Sequence, residues 1–104
     1  MQQPVRSIFA PDRYSAKRMT KPINFVCRER QAKAVFLTGE FNGWDPVAHP
    51  MVRQPDGTWL LQVPLHHGHH QYCYLVDGKM VLDPHANGVA RDPKGRKVSL
   101  LAVS

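Results

Sequence analysis

Six histidines, two tryptophans, two cysteines and eight carboxylates are the side chains of this 104-residue sequence that could do chemistry. His66, His67, His69 and His70 crowd around Gly68, and histidine pairs at such spacing can bind Zn²⁺ or Ni²⁺. No acidic or cysteine ligand stands beside them in the sequence, and side chains alternate in direction once a strand begins. An exposed hairpin is therefore expected there, with neither a metal nor a cofactor. Cys27 and Cys73 are too few for a disulfide framework and lack metal-site spacing. A glycosidase needs two carboxyl groups facing one cleft. Glu29 and Glu40 belong to different strand environments, while Asp45 and Asp83 each precede a proline and suit turns. No Gly-x-Ser-x-Gly elbow occurs. No catalytic residue is assigned, and the sequence is expected not to be an enzyme.

The aromatic residues divide by phase. Trp59 alternates in step with Leu61 and Val63, and Tyr72 and Tyr74 alternate in step with Val76. Both sets are expected in a core. Trp44 follows an Asn42-Gly43 turn, where an indole can pack on a sandwich edge or serve as a flat platform for a ligand.

The elements that must position these residues are strands. Ile23–Arg28, Ala34–Thr38, Gly57–Val63, Gln71–Val76, Lys79–Leu82 and Val98–Val103 are short and rich in β-branched or aromatic residues. Asn42-Gly43, Asp56-Gly57, Asp77-Gly78 and Lys94-Gly95 punctuate them, and Asp77-Gly78 is the clearest hairpin signal. Six or more short strands with regular turns predict an all-β sandwich. Hydrophobic residues at 42% suffice for a core, and the length excludes a (β/α)₈ barrel of about 250 residues.

Charge is placed unevenly. Fourteen Lys and Arg against eight Asp and Glu give +6. All of that excess falls in residues 1–33, with eight basic and two acidic side chains, while the remainder is balanced. Residues 1–21 are expected to form a flexible basic N-terminal arm, with the sandwich spanning residues 22–104. Such an arm can meet an acidic partner. No nucleic-acid module accompanies it, so nucleic acid is not an expected partner. No apolar run approaches a signal peptide or the ~20 residues of a membrane span, so a cytoplasmic location is expected, with no membrane partner.

A family resemblance enters at Val35-Phe-Leu-Thr-Gly-Glu-Phe-Asn-Gly-Trp-Asp-Pro. It continues through Asp56-Gly-Thr-Trp, Gly68-His-His-Gln-Tyr-Cys-Tyr-Leu-Val-Asp-Gly-Lys-Met, Asp83-Pro84 and Val98-Ser-Leu-Leu-Ala-Val. This ordered set resembles the glycogen-binding domain of AMP-activated protein kinase β subunits. It is also similar to the early-set domains of isoamylases and branching enzymes, carbohydrate-binding module family 48. The resemblance implies an immunoglobulin-like early-set sandwich of seven or eight strands that binds α-glucans such as glycogen or starch without catalysis. By position it assigns Trp44 to a sugar-stacking tryptophan, Cys73 to a lysine and Met80 to a second stacking tryptophan. Arg96 and Val98 occupy the places of a sugar-contacting threonine and asparagine.

Two functions of different class follow. In one, Trp44, Cys73, Met80 and Arg96 form a carbohydrate-binding face with Trp44 as its main platform. In the other, the apolar replacements Cys73, Leu75, Met80 and Val98 turn the outer sheet face into a docking or dimerisation surface for protein.

Overall fold

The computed structural model describes residues 19–104. Eight strands run in chain order: β1 (Thr20–Cys27), β2 (Val35–Gly39), β3 (Val52–Arg53), β4 (Trp59–His66), β5 (Gly68–Val76), β6 (Lys79–Val81), β7 (Gly88–Arg91) and β8 (Lys97–Val103). One 3-10 turn, Glu40–Asn42, follows β2. The strands form two antiparallel sheets, one ordered β1-β4-β3 and the other β2-β5-β8-β7, with β6 also paired to β5. The all-β sandwich predicted from alternation is the architecture found.

Alternation explains the layers. Phe25 and Cys27 of β1 and Trp59, Val63 and Leu65 of β4 face Val35 and Leu37 of β2 and Tyr72 and Tyr74 of β5 across one buried core. Trp59, Tyr72 and Tyr74 lie in this core, as their alternation predicts, and Val76 packs against the same cluster. Trp59 satisfies its indole N–H on the Glu29 carbonyl at 3.0 Å, and the Arg53 guanidinium covers its ring at 5.6 Å. The Phe25 and Tyr72 rings meet edge to face, with centroids 5.0 Å apart.

Register is pinned by turn chemistry. Asp77 and Gly78 both take positive φ, 49° and 85°, the geometry of a tight hairpin between β5 and β6. Asp77 Oδ1 also accepts the N–H groups of Lys33 and Ala34 at 2.9 Å, which ties this turn to the start of β2. Pro22 and Pro64 lie directly opposite each other in the β1–β4 pair. Neither can donate, so this must be a non-hydrogen-bonded pair whose missing N–H positions point outward.

β1 begins at Thr20, which pairs with His66, so Thr20 and Lys21 already belong to the sandwich. Of the rest of the expected arm, Met19 is exposed just before β1, and residues 1–18 lie outside the described residues. β3 and β7 carry no strong local signal in the sequence. β3 is two exposed residues, defined by pairing with Leu60 and Trp59. β7 is a four-residue edge strand laid on β8.

Candidate functional site

The turn that carries Trp44 is organised by Asn42. Its Oδ1 accepts the Gly39 N–H at 3.1 Å, and its Nδ2 donates to the Leu37 carbonyl at 3.1 Å. The amide orientation is fixed by these partners, so the 2.8 Å contact with His49 makes His49 Nδ1 an acceptor. Phe41 packs beside Phe25 at 6.0 Å. A Cβ on Gly39 would fall 2.7 Å from both the Phe41 ring and the Gln71 carbonyl, so only glycine admits this close approach. Gly43 and Trp44 then take φ of 66° and 59° in succession. A left-handed tryptophan is unusual and costs about 1–2 kcal/mol. It is held by donation of its N–H to the Gly39 carbonyl at 2.8 Å. Strain at such a residue marks a place where side-chain direction matters more than backbone ease.

Thr38, Trp44, Pro46, Leu75, Met80 and Arg96 line one open cavity of about 150 Å³ on the outer face of the β2–β5 sheet. Met80 enters from β6 opposite Leu75 of β5 and is 37% exposed. Arg96 enters from the β7–β8 turn. Its Nε donates to Asp92 Oδ2 at 2.7 Å, and its Nη1 reaches Met80 Sδ at 3.5 Å. Asp92 is buried, and its Oδ1 accepts the N–H groups of Lys94 and Arg96. Burial opposes its ionisation, but these hydrogen bonds and the Arg96 charge prevail and hold the carboxyl below the ordinary value. The cavity therefore offers an indole, a thioether, an aliphatic wall and an immobilised guanidinium. None of its six lining residues carries a carboxyl group.

Three of the four residues assigned to carbohydrate binding, Trp44, Met80 and Arg96, are thus brought together. Cys73 is not among the lining residues. It is 1% exposed and pairs with Thr38 across β2 and β5, and burial pushes its thiol up. Val98 is fully buried. The apolar outer patch proposed from Cys73, Leu75, Met80 and Val98 accordingly presents only Leu75 and Met80 to a partner. Thr38 was missed, although its phase was visible: Val35 and Leu37 point inward, so Thr38 must point outward.

The histidines separate. His66, His67 and His69 are exposed. The half-buried His70 places Nδ1 3.3 Å from Glu40 Oε2 and Nε2 2.8 Å from the His66 carbonyl. An acidic group does stand beside the cluster, contrary to the sequence reading, because the turn after β2 folds back onto β5. Among the described residues, no three His, Cys, Asp or Glu side chains converge as a metal site. Asp83 is more than a turn former. Its Oδ1 accepts the His85 N–H, while Oδ2 accepts the Tyr72 hydroxyl at 2.6 Å and lies 3.1 Å from that of Tyr74. Nothing in the sequence marks that role, since Tyr72 and Tyr74 are separated from Asp83 by the β5–β6 hairpin.

A family profile described as the glycogen recognition site of AMP-activated protein kinase matches residues 22–104. The chain belongs to this glycogen-recognition family. Its similar proteins include several 1,4-alpha-glucan branching enzymes. The GlgB of Cupriavidus pinatubonensis is 40% identical over 65 residues, 61% of this chain and 8% of the relative. The GlgB 2 of Xanthomonas campestris is 35% identical over 72 residues, 66% and 10% respectively. The GlgB of Burkholderia lata is 34% identical over 86 residues, 76% and 12%. The chain spans about a tenth of the length of these relatives. The match covers the whole described sandwich except Met19–Lys21, so the Trp44 turn and the Asp92–Arg96 turn of this glycogen-recognition domain both lie inside it. No helix among the described residues is long and apolar enough to cross a membrane.

Proposed function

We propose that this glycogen-recognition domain is a non-catalytic module that binds α-glucan weakly, with Trp44 as the stacking surface. The observation that carries the reading is the convergence of Trp44, Met80 and Arg96 on one cavity, although they stand 36 and 16 residues apart in the chain. An indole presents rigid apolar area to a sugar ring with little entropy to lose. Arg96 supplies donors to ring hydroxyls, and its pairing with Asp92 lowers the cost of fixing it. The cavity is smaller than the ~300 Å³ of ordinary ligand pockets, so it grips part of a glucan and leaves the rest in water. Weak affinity follows. None of the six described lining residues carries a carboxyl group, which favours binding over acid–base hydrolysis as the reading.

A protein-interaction role is the second reading. Met80, and Val47 at 65% exposure just beyond Pro46, are the apolar groups that favour it. Maltoheptaose titration followed by tryptophan fluorescence, with glycogen co-sedimentation, tests the first reading. Saturable binding supports it. No binding by the wild-type chain moves the function to protein contact.

A further inference from the structure

The cavity contains a polar atom that the fold leaves unused. Thr38 is 3% exposed, and its Oγ1 is the one buried side-chain polar atom without a hydrogen-bond partner among the described residues. Not even the thiol of Cys73, its neighbour across the strand pair, takes it. Buried hydroxyls are nearly always paired, because an unpaired one forfeits its hydration without return. A valine at this strand position would match the shape and avoid that penalty. Thr38 also borders the cavity beside Trp44, Met80 and Arg96. The Met80 and Arg96 side chains meet there through an N–H···S contact at 3.5 Å, a weak bond between two partly exposed groups.

We propose that Thr38 is a further ligand-contacting residue, whose Oγ1 hydrogen-bonds one hydroxyl of the glucosyl unit seated against Trp44. This rests on the glucan reading of the cavity. The incoming sugar displaces the loose Met80–Arg96 contact, and its hydroxyl edge then reaches the floor. A hydroxyl suits the site from both directions, since it can donate to Oγ1 or accept from it. A charged group does not, because Asp92 already balances Arg96. The ligand class is therefore a neutral polyol edge rather than a phosphate or a carboxylate.

The experiment compares wild type, Thr38→Val, Thr38→Ser and Trp44→Ala in maltoheptaose titration and thermal melting. Thr38→Val should bind about 2- to 10-fold more weakly, the worth of one hydrogen bond, while melting at the same or a higher temperature. Thr38→Ser keeps the hydroxyl and should stay within about twofold of wild-type affinity. Wild-type affinity in Thr38→Val, beside a loss in Trp44→Ala, overturns the Thr38 contact and leaves the glucan reading standing. Equal losses in Thr38→Ser and Thr38→Val also overturn it, because methyl packing would then be the cause. A lower melting temperature in Thr38→Val overturns the premise that the hydroxyl is unpaired. No binding by wild type overturns the glucan reading itself, and this contact with it.

Discussion

Asp92 Oδ2 accepts a hydrogen bond from Arg96 Nε at 2.7 Å, so the one cation lining the site cavity is held by a carboxylate that is almost wholly buried. The same carboxylate closes the β7–β8 turn through its other oxygen. Turn geometry and site electrostatics are therefore one structure, and a change to Asp92 acts on both.

Asp92→Asn should lower the melting temperature at neutral pH and weaken maltoheptaose binding. The folded carboxyl is held below the ordinary 3.8, so the unfolded chain takes up protons first as pH falls. The stability it contributes is full above 3.8 and is lost as pH drops through the lowered value. The gap between the melting curves of wild type and variant should narrow as pH falls from neutral to about 2.5. A constant gap across that range would contradict the coupling.

Trp44→Ala should reduce glucan binding below detection with the fold intact, since truncating one stacked indole costs about 1–3 kcal/mol from an already weak total. Met80→Trp should strengthen binding by adding a second ring at the same cavity. Fluorescence titration of both variants, with far-UV spectra as a folding control, decides the matter. Unchanged affinity in Trp44→Ala would remove the stacking role.

The support beneath Trp44 can be tested separately. Asn42→Ala removes the side chain bonded to Gly39, Leu37 and His49, and should cost about 1–3 kcal/mol in denaturant unfolding. Gly39→Ala forces a methyl to 2.7 Å from the Gln71 backbone oxygen, and strain of that kind costs about 1–3 kcal/mol. Both should also weaken binding, because the left-handed turn at Trp44 depends on them.

Tyr72 and Tyr74 supply an alkaline counterpart. Burial foremost, and Asp83 beside them, push both hydroxyls well above the usual 10.0. A raised folded value for an acid means that stability is full below 10.0 and is lost as pH rises beyond it. Absorbance titration should show both phenols ionising only as the domain unfolds. Asp83→Asn should destabilise by about 1–3 kcal/mol, because a neutral amide offers neither tyrosine hydroxyl a charged acceptor.

Alternation with a period of two was enough to place six of the strands, to put Trp59, Tyr72 and Tyr74 in the core, and to make Asp77-Gly78 a hairpin. These properties are local, set by which face a side chain takes and which φ a turn demands. The family motif named Trp44, Met80 and Arg96. What covers each face was decided by segments arriving from elsewhere. β3 and β7 exist because β4 and β8 offer them an edge, not because Val52-Arg53 or Gly88–Arg91 insist on extension. Cys73 and Val98 point to the outer face by phase, yet the structure buries both. Thr38 becomes an unpaired hydroxyl at a cavity wall, and Asp83 an anchor for two tyrosines, through contacts between strands far apart in the chain. Burial and hydrogen-bond satisfaction depend on neighbours in space, and only the tertiary fold brings those neighbours together.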